Sequence, residues 1–237
     1  MILRQFFHAP SCSYTYLIAN RRGGEAVLID PVLADVDRYV RLLAKLKMRL
    51  VTAIDTHLHA DRYSGLAALR ERTACVAAMS ERTACQFASL RLADGETIAI
   101  DGLRLRALAT PGHTQDSMSF VFDGLVFTGD TLLIRGTGRT DLPGGDAGAQ
   151  YESIFGRLLR LPDATRVYPA HDYREAKAST IVEEKRHNPR LQVRSRAEYI
   201  ALMTRLKLPK PALMDEALPA NLGHGLFPLI QSVGGQL

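Results

Sequence analysis

Residues Thr56-His57-Leu58-His59-Ala60-Asp61-Arg62 crowd three potential metal ligands, His57, His59 and Asp61, into five positions. The apolar run Leu50-Val51-Thr52-Ala53-Ile54 precedes them and reads as a buried strand. Imidazoles and a carboxylate gathered at a strand end are the donors of a metal-dependent enzyme. Arg62 stands where a further histidine would complete a second metal site, so the cluster argues for one ion rather than two. Three more residues occupy the same kind of position. His113 follows the apolar stretch 103–109 and a Thr-Pro-Gly turn, Asp130 follows 124–128 and a glycine, and His171 follows Val167-Tyr168-Pro169-Ala170. Small or turn-forming residues just before each allow close backbone approach. Ligands at several strand ends can converge on one edge of a sandwich. His8, His187 and His224 fall outside this pattern and are given no metal role.

The elements that must position these side chains alternate between two periods. Residues 14–18 and 26–30 are short strands around the hairpin signal Asn20-Arg21-Arg22-Gly23-Gly24. Val36, Val40, Leu43 and Leu46 recur at helical spacing, which predicts a helix over 35–48. A second helix is expected through 66–70. Strand pairs are expected over 97–109, around Asp101-Gly102, and over 119–128, around Asp123-Gly124. A helix fits 151–161 and a strand 166–168. The order favours a layered α+β sandwich over a parallel dinucleotide-binding sheet. Neither a G-x-G-x-x-G turn nor a phosphate-binding loop is present. Glu-Arg-Thr-Ala-Cys occurs at 71–75 and again at 81–85. A single echo is not a solenoid, and no function is attached to it.

The chain of 237 residues is 46% hydrophobic and 23% charged, enough for one sizeable globular domain. We expect a core sandwich over about 1–175 and a C-terminal, more helical extension over about 176–237. The apolar runs fall well short of the ~20 residues that cross a bilayer. The N-terminal stretch reads as a first strand, not a signal peptide. Cys12, Cys75 and Cys85 are an odd number without C-x-x-C spacing, so free thiols in a reducing cytoplasm are expected. The net charge of +5 is spread without a basic block, which speaks against a nucleic-acid partner.

Several segments resemble the metallo-β-lactamase superfamily, and within it the persulfide dioxygenases (sulfur dioxygenases of the ethylmalonic encephalopathy protein type). Thr128 to Asp141, containing Gly138-Arg139-Thr140-Asp141, is similar to that family. So are Pro169-Ala170-His171-Asp172-Tyr173, Glu183-Glu184 with Asn188-Pro189-Arg190, Leu206 to Pro211, and Pro219-Ala220-Asn221. The resemblance runs from near residue 10 to near residue 222. It implies an αββα sandwich with a metal at one edge of two sheets and a short C-terminal helical extension. It implies one Fe(II) per chain, bound by His57, His113 and Asp130, a ligand set suited to non-haem iron oxygenases. His59, Asp61 and His171 would support those ligands and the chemistry. Asp61 facing Arg62 or His59 in a salt bridge is the alternative for that carboxylate.

The implied reaction oxidises glutathione persulfide with O₂ and water to sulfite and glutathione, a step of sulfide oxidation. Arg139 is placed to pair with a substrate carboxylate, or else to bridge Asp141. Tyr173 could hydrogen-bond substrate near the metal, or else pack as a satisfied ring. Cys12 is read as structural. A homodimer is the assembly common in that family. Two other readings stand beside this one: a glyoxalase II-type thioester hydrolase, which predicts two metal ions, and a non-catalytic metal-binding or sulfur-carrier protein that has lost its chemistry.

Overall fold

The computed structural model describes residues 1–223. Two six-stranded sheets face each other, and each runs in chain order. The first holds β1 (Ile2–His8), β2 (Ser13–Ala19), β3 (Glu25–Ile29), β4 (Arg49–Ile54), β5 (Val76–Ser80) and β6 (Leu90–Leu92). The second holds β7 (Thr97–Ile100), β8 (Leu103–Ala109), β9 (Met118–Phe122), β10 (Leu125–Gly129), β11 (Arg166–Pro169) and β12 (Ser179–Thr180). Alternation along each strand builds three apolar layers. Tyr16, Ile18, Val27 and Ile29 point inward to meet Leu105, Phe120, Phe127 and Tyr168 between the sheets. Leu17, Ala26, Leu28 and Ala53 point outward, under α1 (Val36–Leu46) and α2 (Leu66–Thr73). Both faces of these strands are therefore covered, and all seven residues of β2 are buried. On the other side Val126 and Val167 pack under Ile154, Leu158, Ile181 and Tyr199. The result is the expected αββα sandwich.

Both Asp-Gly hairpins form as expected. Asp101 and Asp123 take φ 43°, and the glycines after them take φ 87° and 74°, the twist that suits two-residue hairpins. The helix expected over 151–161 begins earlier. α3 (Ala147–Tyr151) is capped by Asp146, whose Oδ1 accepts from Gly148 N–H at 2.7 Å and Ala149 N–H at 2.9 Å. It continues as wider and tighter helical turns to Arg160. The residues after 175 do not stand apart from the sandwich at first. β12 pairs with β11, and α4 (Ile181–His187) and α5 (Arg196–Thr204) form part of the outer layer of the second sheet. Among the described residues after 175, α6 (Met214–Leu222) is the element that crosses back to the first sheet's side, where Gln86 N–H donates to Leu222 O at 3.1 Å. The end of the expected extension, with His224, lies outside the described residues. Among the described residues no helix is long and apolar enough to cross a membrane.

Candidate metal centre

Four strand ends deliver the site. His57 follows β4 of the first sheet; His113, Asp130 and His171 follow β8, β10 and β11 of the second. The two sheets approach closely here because of Gly129. It takes φ +53°, and a Cβ on it would lie 2.6 Å from Thr56 Oγ1. Gly138 has a similar role beside His113, where an added Cβ would come within 2.8 Å of Nδ1.

His57, His113 and Asp130 converge, with their donor atoms all within 4.8 Å of one another. Asp130 Oδ2 is 3.6 Å from His113 Nε2 and 4.0 Å from His57 Nε2. Both separations lie within the roughly 4.2 Å that two metal–ligand bonds of ~2.1 Å can span. The protons are arranged to match. His113 Nδ1–H donates to the Arg139 carbonyl at 2.8 Å, which leaves a lone pair on Nε2. The Thr56 hydroxyl donates to Asp30, 3.0 Å from each carboxylate oxygen, so it can only accept from His57 Nδ1–H at 2.9 Å. His57 Nε2 is thereby also left as a lone pair. Burial, with His59 and His113 alongside, pushes the His57 imidazole well below its ordinary range and keeps it neutral. Burial alone would raise the Asp130 carboxyl, but His171, with His113 and His57, holds it well below the carboxylate range. Two imidazole nitrogens and one carboxylate oxygen fit a single divalent ion with open positions.

His171 joins the centre through a carboxylate. Its Nδ1 lies 2.7 Å from Asp130 Oδ1, and its Nε2 lies 2.9 Å from Asp61 Oδ2. Burial would lower this imidazole, but Asp130 and Asp61 on its two sides raise it to about 10. Asp61 thus faces His171 rather than Arg62 or His59. Tyr173 stacks its ring on His171, with centroids 5.8 Å apart and planes 6° from parallel, while 70% of the residue stays exposed.

The Arg62 guanidinium forms no ion pair with Asp61, whose carboxylate meets His171 instead. Arg62 is buried, 2% exposed, and turns inward: Nη2 lies 3.0 Å from His59 Nε2, and its N–H groups donate to the carbonyls of Asp30 and Pro31 at 3.3 Å. His59 packs behind His57, ring centroids 4.2 Å apart and planes tilted by 58°, with Nε2 3.3 Å from Asp30 Oδ1. Arg139 is committed within the chain. Nε and Nη2 form a two-point pair with Asp141 at 2.7 Å each, and Nη1 donates to Pro209 O at 2.6 Å. Of the two roles open for Arg139, the internal bridge is the one the geometry displays. One Nη1 hydrogen remains for another acceptor.

The model of the "Metallo-beta-lactamase superfamily" matches residues 11–171. The chain is 42% identical to human "Persulfide dioxygenase ETHE1, mitochondrial" over 228 residues, covering 95% of this chain and 89% of that protein. It belongs to the metallo-β-lactamase superfamily, among the persulfide dioxygenases. A crystal structure of ETHE1 from Myxococcus xanthus superposes with a TM-score of 0.91 at 46% identity, covering 94% of this chain and 98% of that one. The hydroxyacylglutathione hydrolase of Rhodopseudomonas palustris (strain BisA53) is more distant, 33% identical over 223 residues, 92% of this chain and 85% of that protein.

Three residues that support the superfamily's metal edge here carry no local signal of their role. Asp30 follows β3 directly, at φ 55°, and accepts Thr56 N–H at 2.7 Å. Thr56 links it to His57. Asn221 in α6 donates to the carbonyls of His59 and Arg62, at 2.8 Å each, and accepts Ser64 N–H at 2.9 Å. The Pro219-Ala220-Asn221 segment thus ties the chain's far end to the histidine loop.

Proposed function

We propose that this chain is a mononuclear, Fe(II)-dependent persulfide dioxygenase that converts glutathione persulfide, O₂ and water to glutathione and sulfite. The observation that carries this reading is the donor count. His57, His113 and Asp130 offer three prepared donors, whereas position 62 offers none beside Asp61, because its guanidinium lies in the interior. A hydrolase that clamps a hydroxide between two ions needs donors for both. The 42% identity to persulfide dioxygenases over most of both chains supports the same choice.

His57, His113 and Asp130 would hold the iron, and iron when bound supplies open positions and one-electron chemistry that protein side chains lack. The chain's own groups do the rest. The carbonyl of Arg139 and the Thr56–Asp30 pair fix the proton on Nδ1 of each histidine ligand. His171, cationic between Asp130 and Asp61, orients the ligand carboxylate and stores a proton near the reacting centre. Tyr173, exposed above that imidazole, offers its hydroxyl to a bound persulfide. The remaining N–H of Arg139 would reach a glutathione carboxylate, and Asp141 would keep the fork rigid. His59 acts from behind His57. The three cysteines are unpaired, which suits a reducing cytoplasm. We propose a homodimer as the assembly.

Metal analysis paired with O₂ uptake tests the reading. About one iron per chain and O₂ uptake that depends on glutathione persulfide are expected. Two zinc ions per chain with cleavage of a glutathione thioester and no O₂ uptake would favour the hydrolase.

A further inference from the structure

Behind the metal centre lies a second group of converging donors. Asp30, Asp55 and His59 place one ligand atom each within 4.8 Å of the others, and none is more than 3% exposed. His59 Nε2 is the focus: Asp30 Oδ1 stands 3.3 Å away and Asp55 Oδ1 3.7 Å away. Asp55 Oδ1 and His59 Nδ1 are buried without a hydrogen-bond partner. Thr56 and Ser64 donate to these carboxylates, and in a dry interior two such groups, when ionised, are further stabilised by a cation. Among the described residues the permanent cation that touches the cluster is Arg62, whose Nη2 lies 3.0 Å from His59 Nε2. A guanidinium has donors and no acceptor, so at that nitrogen its N–H occupies the lone-pair direction a metal ion would take. Its two other contacts, the carbonyls of Asp30 and Pro31, hold it in place from the backbone.

We infer that Arg62 is a built-in substitute for a divalent ion: it fills, with an organic cation, a buried Asp30–Asp55–His59 site that takes a metal when the guanidinium is removed. The inference goes beyond the proposed reaction, because it concerns a second group of donors whatever the first ion is. Arg62 is then a positioning residue. It fixes His59, and through the tilted ring contact it supports the orientation of His57.

The test counts metal equivalents per folded chain after equilibration with cobalt(II) and removal of loose ion. The intact chain should hold one equivalent. Arg62→Ala and Arg62→Gln should each hold two, Arg62→Lys should return to one, and Arg62→Gln with Asp55→Asn should also return to one. Because each variant is compared with the intact protein under the same ion, the result does not depend on whether the first site prefers iron. If Arg62→Ala fails to fold without metal, recovery of its circular dichroism on adding cobalt(II), with two equivalents bound, supports the inference. A folded Arg62→Gln that still binds one equivalent would overturn it. So would failure of both neutral variants to fold under excess cobalt(II) while Arg62→Lys folds.

Discussion

Asn221 Nδ2 donates to the carbonyl oxygen of His59 at 2.8 Å, across 162 positions of sequence. The same side chain also holds the Arg62 carbonyl and the Ser64 amide. Helix α6 is therefore a clamp on the loop that carries His57, His59 and Asp61. Asn221→Ala leaves three buried backbone groups without partners and should cost roughly 2–4 kcal/mol of stability. Urea unfolding of the metal-loaded protein measures this. The variant should also lose metal faster to a chelator, since the loop is no longer fixed.

Thr56 controls the tautomer of His57. Thr56→Val keeps the shape of the side chain but removes the hydroxyl between His57 Nδ1 and Asp30. Metal affinity should fall roughly 10- to 100-fold, the usual effect of losing a group that orients a ligand. Thr56→Ser should restore most of it. Competition against a chromophoric chelator reads the difference, and an unchanged affinity for Thr56→Val would contradict the proton arrangement described for His57.

Asp94 links two parts of the second sheet's surroundings. Its carboxylate takes a two-point pair from Arg157, at 2.9 and 2.6 Å, and accepts the Ala109 amide at 2.8 Å. The hydrogen bonds from Arg157 hold the Asp94 carboxyl below its ordinary range. A depressed carboxylate adds stability above the unfolded-state value near ~3.9, and that contribution disappears as pH falls through the folded value. The pair is half exposed, so the effect is at most about 1 kcal/mol. Asp94→Asn should lower stability at pH 7, and the deficit should shrink as pH falls below the carboxylate range. Urea midpoints at the two ends of that range check the sign.

Arg139 separates binding from metal loading. Its backbone carbonyl holds His113, and that contact survives truncation of the side chain. Arg139→Ala should leave metal content unchanged and raise KM for glutathione persulfide about tenfold, or about 1.4 kcal/mol. An unchanged KM with a lower melting temperature would assign the guanidinium wholly to its bridge with Asp141 and its hold on Leu208 and Pro209.

The candidate donors were legible as the His57-x-His59-x-Asp61 cluster beyond one strand and as His113, Asp130 and His171 beyond others, each of these three with a small or turn-forming residue just before it, whereas the choice of His57, His113 and Asp130 among them came from the family resemblance. The groups that orient them were not legible. Asp30 reads only as a strand end, and its contact with Thr56 spans 26 positions. Asn221 reaches the histidine loop only after the chain has folded. The direction of Arg62 was equally hidden: its type ruled out a ligand, but only the structure shows it turned toward His59. The Glu-Arg-Thr-Ala-Cys echo shows how weak local identity is. The first copy ends α2, with Ala74 left-handed at φ 56°, whereas the second lies in the loop after β5. Neighbours decide the outcome, and what the copies share is that Cys75 and Cys85 both pack into the same outer layer. Strands β5 and β6 escaped the periodicity because they are short, and β5 is mostly alanine between its flanks. The early start of α3 was masked by glycine and alanine, with Asp146 supplying the cap.

The most direct test of the proposed reaction is the ratio of O₂ consumed to sulfite formed by the iron-loaded protein supplied with glutathione persulfide. The His57, His113 and Asp130 centre predicts one sulfite for each O₂, with both quantities lost together in His57→Ala. Sulfite-free turnover, or thioester cleavage with no O₂ uptake by the same preparation, would contradict it.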